Sequence, residues 1–435
     1  MIKKIIISFF SKFVIAGSGL AVNGLLARNL SQSDFGIYAL CITVITVLGV
    51  INSFGMHLSI SKNYHIYSDK LKLYHSMIYA YIIGLSLITI FYLLGINSSL
   101  FIETFGNKTI INYIFLIAII SALIRIRADY FRASGRIKLF LTLNSISSGG
   151  GVFLWIIFLI AIIILYSVNI INLQSILLCL LVSVIITLFI SIFFRRKTSI
   201  NPFSSFKKIF LLKSNNQSLS FIKNSLSFMI INLLFQFNHL FPIWFLGFFF
   251  SSMDAAYFFA SFQLCSVILI PLSIIDIVFP SDIAKSFHKK DKNHLQILVN
   301  KLSVMRFSSS LIVFLLLYSF AHQLILFVYG EDYLVIKEII QILILYYFPQ
   351  FLFGPTRSVL TMANGRKLLI AWDMITAILS ILIYISFYSM LDLKLFVILF
   401  AIISFLRFFI YYLITYFYVG INTFPNFFKL LKEYE

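Results

Sequence analysis

Residues 195–223 read RRKTSINPFSSFKKIFLLKSNNQSLSFIK, the longest polar stretch of an otherwise apolar chain. Its charges are Arg195, Arg196, Lys197, Lys207, Lys208, Lys213 and Lys223 with no acid among them, and Asn201, Pro202, Asn215 and Asn216 supply turn formers. Outward from it on both sides lie apolar blocks of helical length, in matching number. A purely basic, turn-rich segment between two such sets belongs on the cytoplasmic side of a membrane, where lysine and arginine accumulate in connecting loops. The expected organisation is an N-terminal six-helix lobe over 1–194, a basic cytoplasmic linker over 195–220 and a C-terminal six-helix lobe over 221–435.

Of the 435 residues, 61% are hydrophobic and only 11% charged, a balance that a water-soluble globular chain of this size does not tolerate. A hydrocarbon core about 30 Å thick takes roughly 20 apolar residues per helix, and the blocks here are too long and too little alternating for barrel strands. The fold class is therefore an all-α polytopic membrane protein of about twelve transmembrane helices. The fifth block, Leu139–Tyr166, contains Gly149-Gly150-Gly151 after Ser147 and Ser148. With no Lys-Ser/Thr following, this is a bend, a hinge or a close-packing site rather than a phosphate loop. Cys41, Cys179 and Cys265 lie far apart within apolar blocks and read as small fillers, so no metal, disulfide or cofactor is expected. Lys12 interrupts the first apolar run and no clear small-x-small cleavage site follows it, which favours an uncleaved first span over a signal peptide.

A formal charge of +19 resembles a nucleic-acid signature until the cations are sorted by side. With both termini inside, one side collects Lys3, Lys4, Lys62, Lys70, Lys72, the cluster from Arg125 to Lys138, the whole linker, the lysines from Lys285 to Lys301, and Arg357, Arg366, Lys367, Lys429 and Lys432. The other receives Arg28, Lys108, Lys337 and Lys394. This asymmetry fixes the topology, with both termini cytoplasmic, and removes nucleic acid as a partner.

The halves repeat. Ser31-Gln32-Ser33-Asp34 and Ser251-Ser252-Met253-Asp254 each open an apolar helix with a capping-box pattern. Ala133-Ser134-Gly135-Arg136 is echoed by Ala363-Asn364-Gly365-Arg366, and Phe105-Gly106-Asn107 by Tyr329-Gly330-Glu331, all in the same order. With an even number of spans each, the halves are expected to be parallel repeats about an axis near the membrane normal, an arrangement that commonly flanks a transport site.

At these residues the chain resembles the Wzx-type flippases of the MATE/MOP exporter superfamily. The resemblance is carried by Leu26-Ala27-Arg28-Asn29-Leu30-Ser31 with Asp34-Phe35-Gly36-Ile37-Tyr38, Arg132-Ala133-Ser134-Gly135-Arg136, Gly330-Glu331-Asp332-Tyr333 and Asn364-Gly365-Arg366, and it spans nearly the whole chain. It implies two six-helix lobes around a central cavity that opens alternately to either side. It also implies a cargo, an undecaprenyl-pyrophosphate-linked oligosaccharide of O-antigen or capsule type carried across the bacterial inner membrane. The implied partners are that lipid-linked oligosaccharide, membrane lipids, and a polysaccharide polymerase and chain-length regulator.

Ionisable groups inside spans are costly and face a wet cavity or a partner. In the first span Lys12, Ala16, Gly19 and Asn23 share one helical face. Superposing Asp34 on Asp254 places Lys12 on Asn232, Ala16 on Gln236 and Gly19 on His239, which form a second stripe in the seventh span. Both stripes read either as cavity lining or as interhelical hydrogen bonding within a lobe. Arg306 and Arg407 have no acid at helical spacing and would suit an anionic cargo; snorkelling is the rival for Arg306. Together with Lys12, Asn23, Asn232, Gln236 and His239 they form the substrate-binding set. Asp276 and Asp373 are the ion-coupling candidates, with pairing to Arg306, Arg407 or Lys12 as the alternative. Arg125, Arg127 and Asp129 read as inner-end anchors with a local ion pair, and Arg28 and Glu338 lie toward outer ends.

Two competing readings remain. Efflux of small cationic drugs fits poorly with cationic spans. A polymerase or ligase would need a sizeable outer loop or paired catalytic groups, and the short outer connections show no such set.

Overall fold

The structure, a computed structural model, describes residues 2–64, 70–194, 216–279, 283, 286–287, 291–363 and 365–428. The linker stretch 195–215 and Asn364 lie outside the described residues. Among those described, eleven helices are long and apolar enough to cross a membrane, and Val152–Ser167 is an apolar helix of shorter length. Phe193 and Phe327 are 84% and 82% exposed, so the outward faces are apolar, as lipid contact requires and water does not permit.

In chain order the helices are α1 (Ile2–Asn29), α2 (Gln32–Asn52), α3 (Met56–Asn63), α4 (Lys70–Ile96), α5 (Ser99–Phe105), α6 (Lys108–Ala133), α7 (Ile137–Thr142), α8 (Val152–Ser167), α9 (Leu173–Phe193) and α10 (Asn216–Phe249). They continue with α11 (Ser252–Cys265), α12 (Leu269–Val278), α13 (Lys292–Ser319), α14 (Ala321–Val328), α15 (Lys337–Leu352), α16 (Thr356–Met362), α17 (Arg366–Ser386) and α18 (Leu393–Ile414). The capping pattern at Ser31 is real: its hydroxyl accepts from the Asp34 backbone N–H at 3.1 Å and starts α2.

The fifth apolar block is not one helix. α7 ends at Thr142, a short 3-10 turn covers Ile146–Ser148, and α8 begins at Val152. Gly149 and Gly150 have φ of +86° and +78°, values that only glycine adopts without strain. A Cβ on Gly151 would sit 2.4 Å from the Asn144 backbone nitrogen, so the glycine run serves both as a bend and as a site of close backbone approach. Other blocks break in the same manner, the second at Ser53–Gly55 between α2 and α3 and the tenth at Phe353–Pro355 between α15 and α16.

The chain divides into two compact units, one of Gly17–Ser252 and one of Met1–Ala16 with Met253–Glu435. In the first, α6 is central and packs on α2, α3 and α9, while α10 packs on α2, α3 and α4. Ala118, Ser121 and Ala122 on the buried face of α6 are fully buried, small residues that let membrane helices approach closely. An apolar cluster of Phe54, Met56, Leu73, Met77, Tyr130 and Phe221 closes one end of this unit. In the second unit α15 packs on α13 and α18, and α17 on α18. Asp373, Thr376, Ala377, Ser380 and Tyr384 form the buried face of α17, a helical stripe at steps of three and four. Tyr346 of α15 stacks on Phe400 of α18 with centroids 4.2 Å apart.

Candidate functional site

The most concentrated chemistry in the second unit is on the α17–α18 contact. Asp373 is fully buried and Arg407 is 2% exposed. The Arg407 Nε donates to Asp373 Oδ1 at 2.9 Å, its Nη2 donates to the same oxygen, and so does the Tyr411 hydroxyl. Tyr411 stands one turn beyond Arg407, and its hydroxyl also accepts from Arg407 Nε at 3.1 Å. The indole of Trp372 donates to the Arg407 carbonyl at 3.1 Å. Arg407, read from sequence as a lone cation, is thus paired across helices: its acid comes from the preceding span rather than from its own. Three donors converge on one carboxylate oxygen, two of them from a guanidinium, which makes the contact between α17 and α18 charge-assisted.

A second buried charge group lies in the first unit, on the end of α6 that leads into Ala133–Arg136. Asp129 meets Arg132 at 3.1 Å and Arg125 at 4.0 Å. Arg125 also reaches the Ser147 carbonyl at 3.3 Å, Arg127 donates to the Ser191 carbonyl at 2.7 Å, and Arg132 donates to the His57 carbonyl at 3.1 Å. These arginines tie α6 to the glycine bend, to α9 and to α3. The local ion pair expected of Arg125 and Asp129 is present, with Arg132 as the closer partner.

The remaining site candidates are spread over both units. Lys12 is half-buried on α1, in the part assigned to the second unit, whereas Asn23 is 2% exposed in the first. Asn232 forms an Nδ2–Nε2 hydrogen bond of 2.7 Å with His57, the interhelical bonding weighed as the alternative to cavity lining. Gln236 is half-buried, and His239 is buried with its ring 4.7 Å from that of Phe235. Arg306 is buried, and its Nη2 lies 3.5 Å from the Gln350 carbonyl. The Asp276 side chain lies outside the described residues. Glu338 forms an exposed pair with Lys394 at 2.9 Å, and Arg28 is exposed.

Sequence reasoning missed Tyr411, His57 and Trp372. Tyr411 was within reach, because a tyrosine four residues after a buried arginine shares its face; His57 and Trp372 act through contacts between helices that no local spacing encodes. Among the described residues no three His, Cys, Asp or Glu side chains gather as a metal site.

The sequence model of the polysaccharide biosynthesis protein family matches residues 1–281. The chain belongs to that family. Among curated proteins none matches it by sequence. Solved structures resemble it in fold. An outward-facing multidrug-resistance MATE transporter of the MOP superfamily has 14% identity and a TM-score of 0.65, with 96% of this chain and 95% of that one covered. A MATE transporter from Vibrio cholerae has 13% identity and a TM-score of 0.65, with 96% of each chain covered. A MOP superfamily transporter from Pyrococcus furiosus has 14% identity and a TM-score of 0.64, also with 96% of each covered. The family member described here is a multi-pass membrane protein with the MATE-like fold, from a polysaccharide biosynthesis family.

Proposed function

We propose that the protein flips undecaprenyl-pyrophosphate-linked oligosaccharide repeat units, of O-antigen or capsule type, from the cytoplasmic to the outer face of the bacterial inner membrane by alternating access. The family match over residues 1–281 on a transporter fold carries this reading. The six-helix lobes 1–194 and 221–435, joined by the basic linker with both termini cytoplasmic, are the moving parts of the proposal. Lys12, Asn23, Asn232, Gln236, His239 and Arg306 are the proposed cargo contacts, with Lys12 and Arg306 supplying positive charge for a pyrophosphate. Arg407 is assigned a different part, since Asp373 already neutralises it. Asp373 and Asp276 are the proposed ion-coupling carboxylates: an ion that competes with Arg407 and Tyr411 for Asp373 would loosen α17 from α18. A polymerase and a chain-length regulator are the proposed downstream partners.

Lys12 offers a direct test. In a strain lacking the gene, Lys12→Gln at wild-type membrane levels is expected to restore surface polysaccharide to no more than about a tenth of wild type, the effect of losing roughly 1.4 kcal/mol of a charge-assisted contact. Full restoration would remove Lys12 from the cargo path.

A further inference from the structure

After α18 the chain makes one π-helical turn over Thr415–Val419 and then leaves helical structure over residues 420–426. Burial alternates along this segment: Ile421, Thr423 and Pro425 are buried, while Asn422, Phe424 and Asn426 are exposed. Ile421 enters the apolar cluster of Phe279, Leu295, Val299 and Val359, which belongs to the second unit. The segment thus lies along the unit with one edge in and one edge out.

Two side chains one turn apart on α13 hold it by its backbone. Gln296 Nε2 donates to the Asn422 carbonyl at 2.7 Å, and its Oε1 accepts from the Asn422 N–H at 2.8 Å. Asn300 repeats the arrangement on Asn426, donating from Nδ2 at 3.0 Å and accepting at Oδ1 at 2.9 Å. Each amide meets one backbone donor and one backbone acceptor of a single residue, as a neighbouring strand would. On the other side of the segment, the Thr423 carbonyl oxygen lies 2.2 Å from where a Cβ would stand on Gly354, the middle residue of the α15–α16 break. Gly354 has φ of +70°, and Ser303 Oγ of α13 closes the same space, 2.5 Å from that Cβ position. The segment fills the place of a side chain at the break, so the backbone there has no room to turn while Thr423 is seated.

We propose that residues 420–426 are a strap that locks the α15–α16 break when seated between α13 and Gly354, and that leaves its seat for the break to bend. Its fastening suits reversible release. The Gln296–Asn422 pair is exposed, so water can take over its bonds at small cost. The buried hydroxyls of Thr423 and Thr356 find no hydrogen-bond partner among the described residues in the seated arrangement, which leaves that arrangement less than fully satisfied. A short segment held in this way opens locally without unfolding the helices that carry it. The inference rests on the transport proposal only for its purpose, because alternating access requires the break to be free at some stage.

The test is hydrogen exchange, read by mass spectrometry on the full-length protein in nanodiscs at residues 420–428 and 353–359. The two segments are expected to exchange together, and faster than α13 and α18 beside them. Gln296→Leu/Asn300→Leu removes the amide ladder and is expected to speed both about tenfold. Bridging Gln296→Cys to Asn422→Cys with a short, reducible bis-methanethiosulfonate is expected to slow both about tenfold, and reduction to reverse the effect. Either single cysteine variant, treated alike, is expected to exchange as before. Strap amides as slow as those of α13 and α18, or a bridge that leaves 353–359 unchanged, overturn the inference. In liposomes containing undecaprenyl-pyrophosphate-linked oligosaccharide, the bridged protein is expected to transport at no more than about a tenth of the wild-type rate until it is reduced. Transport by the bridged protein at the full rate overturns the strap. Wild type that moves no glycolipid in this assay overturns the transport proposal alone, and the exchange measurements then decide the strap.

Discussion

Asp373→Asn and Arg407→Leu, made singly, are expected to destabilise the protein by about 3–5 kcal/mol, because each leaves one full charge or its donors buried without the other. The geometry supports so large an effect. Both side chains are almost fully buried, and three donors converge on one carboxylate oxygen. Asparagine would present its amide oxygen to the same donors without the charge that holds the guanidinium, and leucine would strand the carboxylate. The double variant Asp373→Leu/Arg407→Met removes both charges at similar volume and is expected to recover most of the loss, since a buried pair contributes little net stability over an apolar replacement. Thermal unfolding of the purified protein in detergent reads out all three. Single variants as stable as wild type would mean that water reaches the pair. A double variant that is stable but inactive in transport would support the coupling role proposed for Asp373.

The second large effect is expected at Gly36, in the Asp34–Tyr38 segment that carries the family resemblance. A Cβ at this position would lie 1.8 Å from the Ser252 carbonyl oxygen and 2.6 Å from its carbonyl carbon. Both are backbone atoms and cannot rotate aside as a side-chain end could. Alanine would ordinarily stabilise a helix interior relative to glycine by roughly 1 kcal/mol, but here overpacking costs at least about 1–3 kcal/mol and pushes the helix away from Ser252. Gly36→Ala is therefore expected to lower the unfolding temperature, and Gly36→Val to abolish accumulation of folded protein, as read by size-exclusion chromatography of a fluorescent fusion. The hydrogen bond of 2.7 Å between the Ser33 and Ser252 hydroxyls gives an independent check: Ser33→Cys with Ser252→Cys is expected to form a disulfide under mild oxidation. A Gly36→Val protein that accumulates and cross-links normally would contradict this packing.

Membrane class and helical architecture were legible in the sequence because both follow from one-dimensional quantities. Apolar block length, basic residues between blocks and the Ser-x-x-Asp starts need no knowledge of neighbours. The fifth block shows where that legibility stops. Its glycine run was recognised as irregular, but the break into α7 and α8 depends on two left-handed residues and on contact with Asn144, neither of which hydrophobicity records. Arg407 and Asp373 show the same limit at the site. Each was recognisable as a costly charge within a span, and their pairing was one of the alternatives, yet the choice among Arg306, Arg407 and Lys12 is made by which helices touch. Asn232 illustrates the point from the other side, since its stripe with Gln236 and His239 was visible but its partner His57 sits 175 residues away.

The most direct measurement of the central claim is the sidedness of the glycolipid. Cells lacking the gene are extracted for undecaprenyl-pyrophosphate-linked oligosaccharide, and an impermeant glycan-reactive label applied to intact spheroplasts reports the fraction on the outer face. The account predicts that the glycolipid accumulates on the cytoplasmic face without the protein and returns to the outer face when wild type is restored, while Lys12→Gln at equal membrane level fails to return it. Glycolipid that reaches the outer face at the normal rate in the absence of the protein, and remains there unpolymerised, would contradict flipping and point to the polymerisation step instead.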